Sequence, residues 1–142
     1  MLEDNMNVIL KRINDKMRSR VFSSVKSAGI TLEQLVVLTE LAQSDKNAFS
    51  VKNAQASLQV SQPTATGVVS RLESGGFVRS YQPASDKRVK LIELTEKGKK
   101  CADKALKRIK KEQDLLLSCL SDKEQDELQK LLRKAFDSYC KD

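Results

Sequence analysis

Histidine is absent from this chain of 142 residues, and so is tryptophan. The missing histidine removes the side chain most often used as a general base, a triad partner or a metal ligand. Cysteine is sparse: Cys101, Cys119 and Cys140 are widely spaced, odd in number and without a CxxC pair. That pattern fits neither a disulfide framework nor a zinc site built from close paired ligands. No metal and no cofactor are expected. Carboxylates are numerous but stand beside Lys and Arg on what read as solvated faces, so nothing argues for an enzyme. Aromatic residues make up only 4%, too few for the stacking platforms that read single-stranded RNA. No apolar run approaches the roughly 18–20 residues that span a bilayer. The start, Met1-Leu2-Glu3-Asp4-Asn5, lacks the basic and apolar stretches of a signal peptide. The expectation is one soluble cytoplasmic domain over residues 1–142, with no membrane partner.

What is present is localised positive charge. The net charge is +7, and residues 79–111 hold 12 Lys+Arg against 4 Asp+Glu, a local balance of +8. Charge concentrated in this way is the electrostatic footprint of a polyanion partner, although a solvated basic helix gives the same count.

Five glycines and two prolines punctuate the chain. Between Asp4 and Val25 apolar residues recur at helical spacing: Met6, Ile9, Leu10, Ile13, Met17, Val21, Phe22 and Val25. Thr31 with Gln34 reads as a capping box opening a second helix, whose stripe is Leu35, Leu38, Leu41 and Ala42. After a polar break over residues 44–47, a short helix over 51–58 and a tight turn over 59–62 lead into a helix from Pro63 to Ser74. Pro63 suits a first helical turn, and Gly75-Gly76 stops the helix. Two helices joined by a short turn form a helix-turn-helix. The period then changes: Phe77–Tyr81 and Val89–Leu94 read as strands around a polar tip, a small hairpin in the position of a wing. Thr95 caps a long helix over 96–118 that is basic in its first half, with Ala102, Leu106, Ile109, Leu116 and Leu117 facing inward. Ser121 with Glu124 opens a last helix lined by Leu128, Leu131, Leu132, Ala135, Phe136 and Tyr139.

Placed at 100° per residue, Ala65, Val68, Val69 and Leu72 form the core face of the helix over 62–74. Pro63, Thr64, Gly67, Ser70, Arg71 and Ser74 lie opposite, with Thr66 at the edge. Long Glu and Lys would have better helix propensity there. Short hydroxyls instead suit close approach to base edges and phosphates, because they donate and accept. Arg71 is suited to a bidentate contact with guanine or to a phosphate clamp. Gly67 costs about 1 kcal/mol against alanine inside a helix, and its place off the core face points to close approach of the backbone to a groove.

The run Asp86-Lys87-Arg88-Val89-Lys90-Leu91-Ile92-Glu93-Leu94-Thr95 resembles the wing signature of the MarR family of winged-helix regulators. That signature is Asp-x-Arg followed by an aliphatic residue and Leu-Thr. Glu96-Lys97-Gly98 continues the pattern, and Arg71-Leu72-Glu73 leading into Gly75-Gly76-Phe77-Val78 matches the approach to the wing. The resemblance covers the whole chain. It implies a mainly α fold with a small β-hairpin: a winged helix-turn-helix core over 31–95, flanked by dimerisation helices over 4–26 and 96–140. It further implies a homodimer on double-stranded DNA, acting as a ligand- or stress-responsive repressor at an inverted-repeat operator. The DNA-binding set is then Ser61, Gln62, Thr64, Thr66, Gly67, Ser70, Arg71, Asp86, Lys87, Arg88 and Lys90. Arg88 is expected in the minor groove, where narrow A·T tracts concentrate negative potential, with Asp86 holding an arginine and Lys87 and Lys90 on phosphates. Family members often carry a longer, frequently basic residue near the place of Gly67, so this chain departs there. The dimer surface is assigned to Ile9, Ile13, Met17, Leu116, Leu131, Leu132, Phe136 and Tyr139. A small apolar or aromatic ligand between the dimer helices and the winged domain is a further implication. Some relatives sense oxidants through cysteine. Cys101, near a helix start and close to Lys97, Lys99, Lys100 and Lys104, is the redox candidate, because those charges favour a thiolate. Cys119, beside Leu115-Leu116-Leu117, is expected to be buried and Cys140 exposed. The competing reading is a helical dimeric interaction protein, an anti-regulator that has lost DNA binding.

Overall fold

The computed structural model describes residues 5–45 and 48–141. The parts of the sequence reading that fall on Asp4 and on Lys46-Asn47 lie outside them. The elements run α1 (Met6–Ser24), a 3-10 turn (Lys26–Ala28), α2 (Leu32–Gln43), β1 (Ala48–Ser50), α3 (Val51–Leu58), α4 (Gln62–Ser74), β2 (Val78–Tyr81), β3 (Leu91–Leu94), α5 (Glu96–Leu117) and α6 (Asp122–Tyr139). Among the described residues, no helix is long and apolar enough to cross a membrane. One compact unit ends at Ile109 and a second begins at Lys110.

Side-chain caps fix where the helices begin. Thr31 Oγ1 accepts from the Gln34 backbone N–H at 3.3 Å, and Gln34 Oε1 returns the contact to Thr31 N at 2.9 Å. Ser121 and Glu124 repeat the arrangement at α6. A third capping box, Ser50 with Asn53, opens α3; the sequence reading missed it because Asn stands where Glu or Gln is usual. Helix α4 starts one residue earlier than expected, at Gln62, so Pro63 takes the second position rather than the first. Its N–H would still have had no helical partner there.

The expected hairpin is part of a three-stranded antiparallel sheet in the order β1-β3-β2. Strand β1 is the correction. Ala48, Phe49 and Ser50 pair with Glu93, Ile92 and Leu91. Three residues without alternation carry no local strand signal, so this strand exists through its non-local partner. The wing strands are also shorter than expected, because pairing begins at Val78↔Leu94 and ends at Tyr81↔Leu91.

The core of the first unit joins α2, α4, the sheet and the start of α5. Leu38, Leu41, Leu72, Ile92, Val37 and Val78 are its largest fully buried side chains. Val21 and Val25 bring the end of α1 into it, and Ala102 and Ala105 the first turns of α5. Cys101 is also a core residue, 8% exposed. Burial pushes its thiol up from the ordinary value, and the opposing fields of Lys104 and Lys97 do not offset this. That reverses the lowered value expected from the neighbouring lysines. Cys119, expected to be buried, is exposed, as is Cys140.

Helix α4 ends in a Schellman motif. Phe77 N–H donates to the Leu72 carbonyl at 2.9 Å and Gly76 N–H to Glu73 at 3.0 Å, with Gly76 at φ 78°, in the left-handed region. The chain then meets the start of α5. Thr95 N–H donates to the Phe77 carbonyl at 3.1 Å, and Thr95 Oγ1 donates to Gly76 O at 2.6 Å. A Cβ added at Gly98 would stand 2.0 Å from that same Phe77 carbonyl oxygen. Only glycine fits this crossing.

Two outcomes are expected. Gly98→Ala should lower stability by roughly 1–3 kcal/mol or more, since an overpacked contact against backbone has no flexible side chain to yield; an unchanged urea midpoint would contradict the crossing. In a Cys119→Ser/Cys140→Ser variant, the remaining Cys101 should react with a thiol reagent far more slowly in the native than in the unfolded protein. Native labelling at the unfolded rate would show that Cys101 is accessible after all.

Candidate nucleic-acid interface

The short turn between α3 and α4 sets the angle of α4. Gln59 closes α3 at φ 53°, a left-handed conformation rare for a residue with a Cβ. Ser61 then caps α4: its Oγ accepts from Thr64 N–H and lies 3.0 Å from Thr64 Oγ1. Two of the expected DNA-binding hydroxyls are thereby ordered at the exposed start of the helix.

Burial divides α4 as the sequence pattern divides it. Ala65, Val68, Val69 and Leu72 are buried. Gln62, Pro63, Thr64, Thr66, Ser70, Arg71 and Ser74 are exposed, and Gly67 is half-buried. The exposed face is a shallow surface of hydroxyls around one guanidinium.

The wing tip between β2 and β3 is organised by Asp86. Its Oδ1 accepts from Arg88 N–H at 3.0 Å and from Arg88 Nε at 3.3 Å. Asp86 thus holds the arginine from behind while the Arg88 side chain stays 92% exposed. Lys87 and Lys90 are exposed on the same loop and have no ion pair among the described residues.

From Ser61 to Thr95 the chain carries five basic side chains and three carboxylates. Every one of those carboxylates is engaged. Glu73 Oε1 accepts from Ser80 N–H at 3.2 Å, Asp86 holds Arg88, and Glu93 pairs with Arg79 directly across the β2–β3 ladder. Arg71, Lys87 and Lys90 are left facing solvent with no acidic neighbour bonded to them among the described residues. A polyanion approaching this face would meet unopposed cations and already satisfied carboxylates.

One basic residue near the site has a different role. Lys97 donates to the Gly75 carbonyl at 2.7 Å and stands 4.4 Å from the centre of the Phe77 ring. It anchors the corner between α4 and β2. The sequence counted it as one lysine of the basic first half of the helix, since charge counting does not register a carbonyl partner.

The residues assigned to a dimer surface fall in both units. In the first, Ile9 is exposed and Ile13 and Met17 are half-buried; Met6 and Leu10, left out of that assignment, are exposed as well. In the second, Leu116, Leu131, Leu132, Phe136 and Tyr139 are exposed, joined by Leu115 and Leu128. The inward placement expected for Leu116 does not hold within the single chain. The first unit also contains a cleft of about 200 Å³ lined mainly by Met17, Val21, Leu35, Val36 and Ile109, with Arg18 on its wall.

Comparison with known proteins agrees with this geometry. Residues 30–90 match the model of the MarR family. The transcriptional repressor MprA of Escherichia coli strain K12 is 25% identical over 131 residues, which cover 89% of this chain and 74% of MprA. A MarR-family transcriptional regulator from Silicibacter pomeroyi superposes with a TM-score of 0.80 at 18% identity, over 98% of this chain and 92% of that one. The MepR protein of Staphylococcus aureus, solved as a DNA complex, superposes with a TM-score of 0.78 at 24% identity, covering 94% of this chain and 98% of its own. The segment matched to the MarR family, residues 30–90, holds the helix-turn-helix and most of the wing, and the fold over nearly the whole chain is that of MarR-family structures.

Proposed function

We propose that this regulator is a homodimeric repressor of an inverted-repeat operator, with α4 in the major groove and the wing on the flanking minor groove. The observation that carries the proposal is the wing tip, where Asp86 orients Arg88 while leaving it almost wholly exposed. A guanidinium held in one direction loses less conformational freedom on binding than a mobile one, and a narrow minor groove attracts it. Exposed hydroxyls on α4 supply groups that can bond to base edges and phosphates alike. MprA, a relative by sequence, is described as a repressor, which favours repression over activation.

The uncovered apolar side chains support the dimer. Leu131, Leu132, Phe136 and Tyr139 are more than half exposed, a surface that isolated domains seldom leave in water. A partner helix would remove it from solvent, and a two-fold dimer would place two recognition helices on one face of the duplex.

The cleft beside α1 supports regulation by a small apolar or aromatic anion. Its aliphatic lining suits a ring or short chain, and Arg18 can meet a carboxylate. Occupancy would act on α1 and α2 together, so binding there couples to the packing that carries α4. We assign Cys101 to packing rather than to oxidant sensing, because the thiol is buried and held protonated.

Selection from a random duplex pool should return inverted repeats with half-site centres roughly 10–11 base pairs apart. Recovery of single half-sites bound by monomers would contradict the architecture. Arg88→Ala should weaken operator binding by about 1–3 kcal/mol, most strongly where the flanks are A·T-rich. Equal affinity for A·T-rich and G·C-rich flanks in the unmodified protein would remove Arg88 from the minor groove.

A further inference from the structure

Gly67 stands in the middle of α4, where glycine is the least favourable residue after proline, and core packing does not require it. A Cβ added there would meet no atom of the core. Within 4 Å it would find only the two terminal nitrogens of Arg71, at 3.9 and 4.0 Å. The arginine one turn further on therefore lies back along the helix, over the position that any larger side chain at 67 would fill, as long side chains on helices lean toward the N-terminus.

The surroundings of that guanidinium narrow its role. Arg71 is exposed and its side chain has no hydrogen-bond or ion-pair partner among the described residues. Glu73, the acid on the same helix, is occupied by the backbone N–H of Ser80. On the helical wheel, Thr66 and Ser70 lie to one side of the guanidinium and Thr64 to the other, all short and all exposed. The longest side chain near the middle of this face is thus placed flat along it, with no competitor for the space and no acid to neutralise it.

We propose that Gly67 and Arg71 form one specificity-determining unit: the vacant position at 67 admits the Arg71 guanidinium to the centre of the recognition surface, where it reads a guanine. The planar fork of arginine matches the O6 and N7 acceptors of guanine in the major groove. The proposal rests on the reading that α4 enters that groove. It explains a glycine that weakens the helix and contributes nothing to the core.

The test is selection of bound duplexes from a random pool by the unmodified dimer, Gly67→Ala, Gly67→Gln, Arg71→Lys and Arg71→Ala. The unmodified protein should enrich guanine at one symmetric position in each half-site. Gly67→Ala should keep that guanine, because its methyl group would be in ordinary contact with the guanidinium, and should melt at a higher temperature. Gly67→Gln should also melt no lower than the unmodified protein, yet lose the guanine preference at that position by roughly tenfold or more, with other positions unchanged. Arg71→Ala and Arg71→Lys should lose the same preference, since lysine lacks the fork. Two results would overturn the proposal while leaving operator binding intact. One is a guanine preference that survives Gly67→Gln. The other is an Arg71→Ala variant that binds every sequence more weakly by the same factor with a salt slope smaller by about one, the mark of a phosphate clamp. Failure of the unmodified protein to enrich any sequence would overturn both this proposal and the reading beneath it.

Discussion

The carbonyl of Phe77 is the point on which the interface depends. It accepts from Thr95 N–H and lies 3.0 Å from Thr95 Oγ1, while Gly98 passes so close that a Cβ has no room. On one side of this point α4 has just ended in its Schellman motif. On the other β2 is about to begin, and α5 starts against it. Lys97 ties the same corner through the Gly75 carbonyl and the Phe77 ring. Helix α4, the wing and the start of α5 therefore meet in one set of backbone contacts. Preorganisation of this kind reduces what ordering would cost on binding.

The electrostatics build on that arrangement. A basic count alone would be a weak argument, because cations near carboxylates are partly neutralised. In this fold the three carboxylates between Ser61 and Thr95 each serve a structural contact, with Ser80, Arg88 or Arg79. Two of them work in favour of a polyanion: Asp86 aims Arg88, and Glu73 joins the end of α4 to β2. The site is positive because five cations outnumber three carboxylates, and each of those carboxylates already has a short-range partner.

Much of this was legible in the sequence, for identifiable reasons. Capping boxes at Thr31 and Ser121, the four-residue core stripe of α4 and the order of motifs around the wing are local signals, and local structure follows them. The sequence reading had Asp86 holding an arginine without naming it; the structure shows that this arginine is Arg88, two residues on. What depended on distant chain segments was not legible. Strand β1 forms only against β3. Gly98 is explained by a carbonyl 21 residues away in sequence, and Gly67 by a side chain whose direction the sequence does not give. Cys101 shows the limit of charge counting: the lysines that should lower its thiol are there, but burial outweighs them.

The central claim is that this face binds duplex DNA through its unopposed cations, and the salt dependence of binding measures that most directly. Titration of a labelled operator duplex by the intact protein over a range of salt should give a straight line of log affinity against log salt. Its slope should be about −0.9 for each phosphate neutralised, and it should become shallower by about one for each lysine of the wing, Lys87 or Lys90, replaced by alanine. An affinity that does not change with salt, or a slope indifferent to both lysines, would contradict the account.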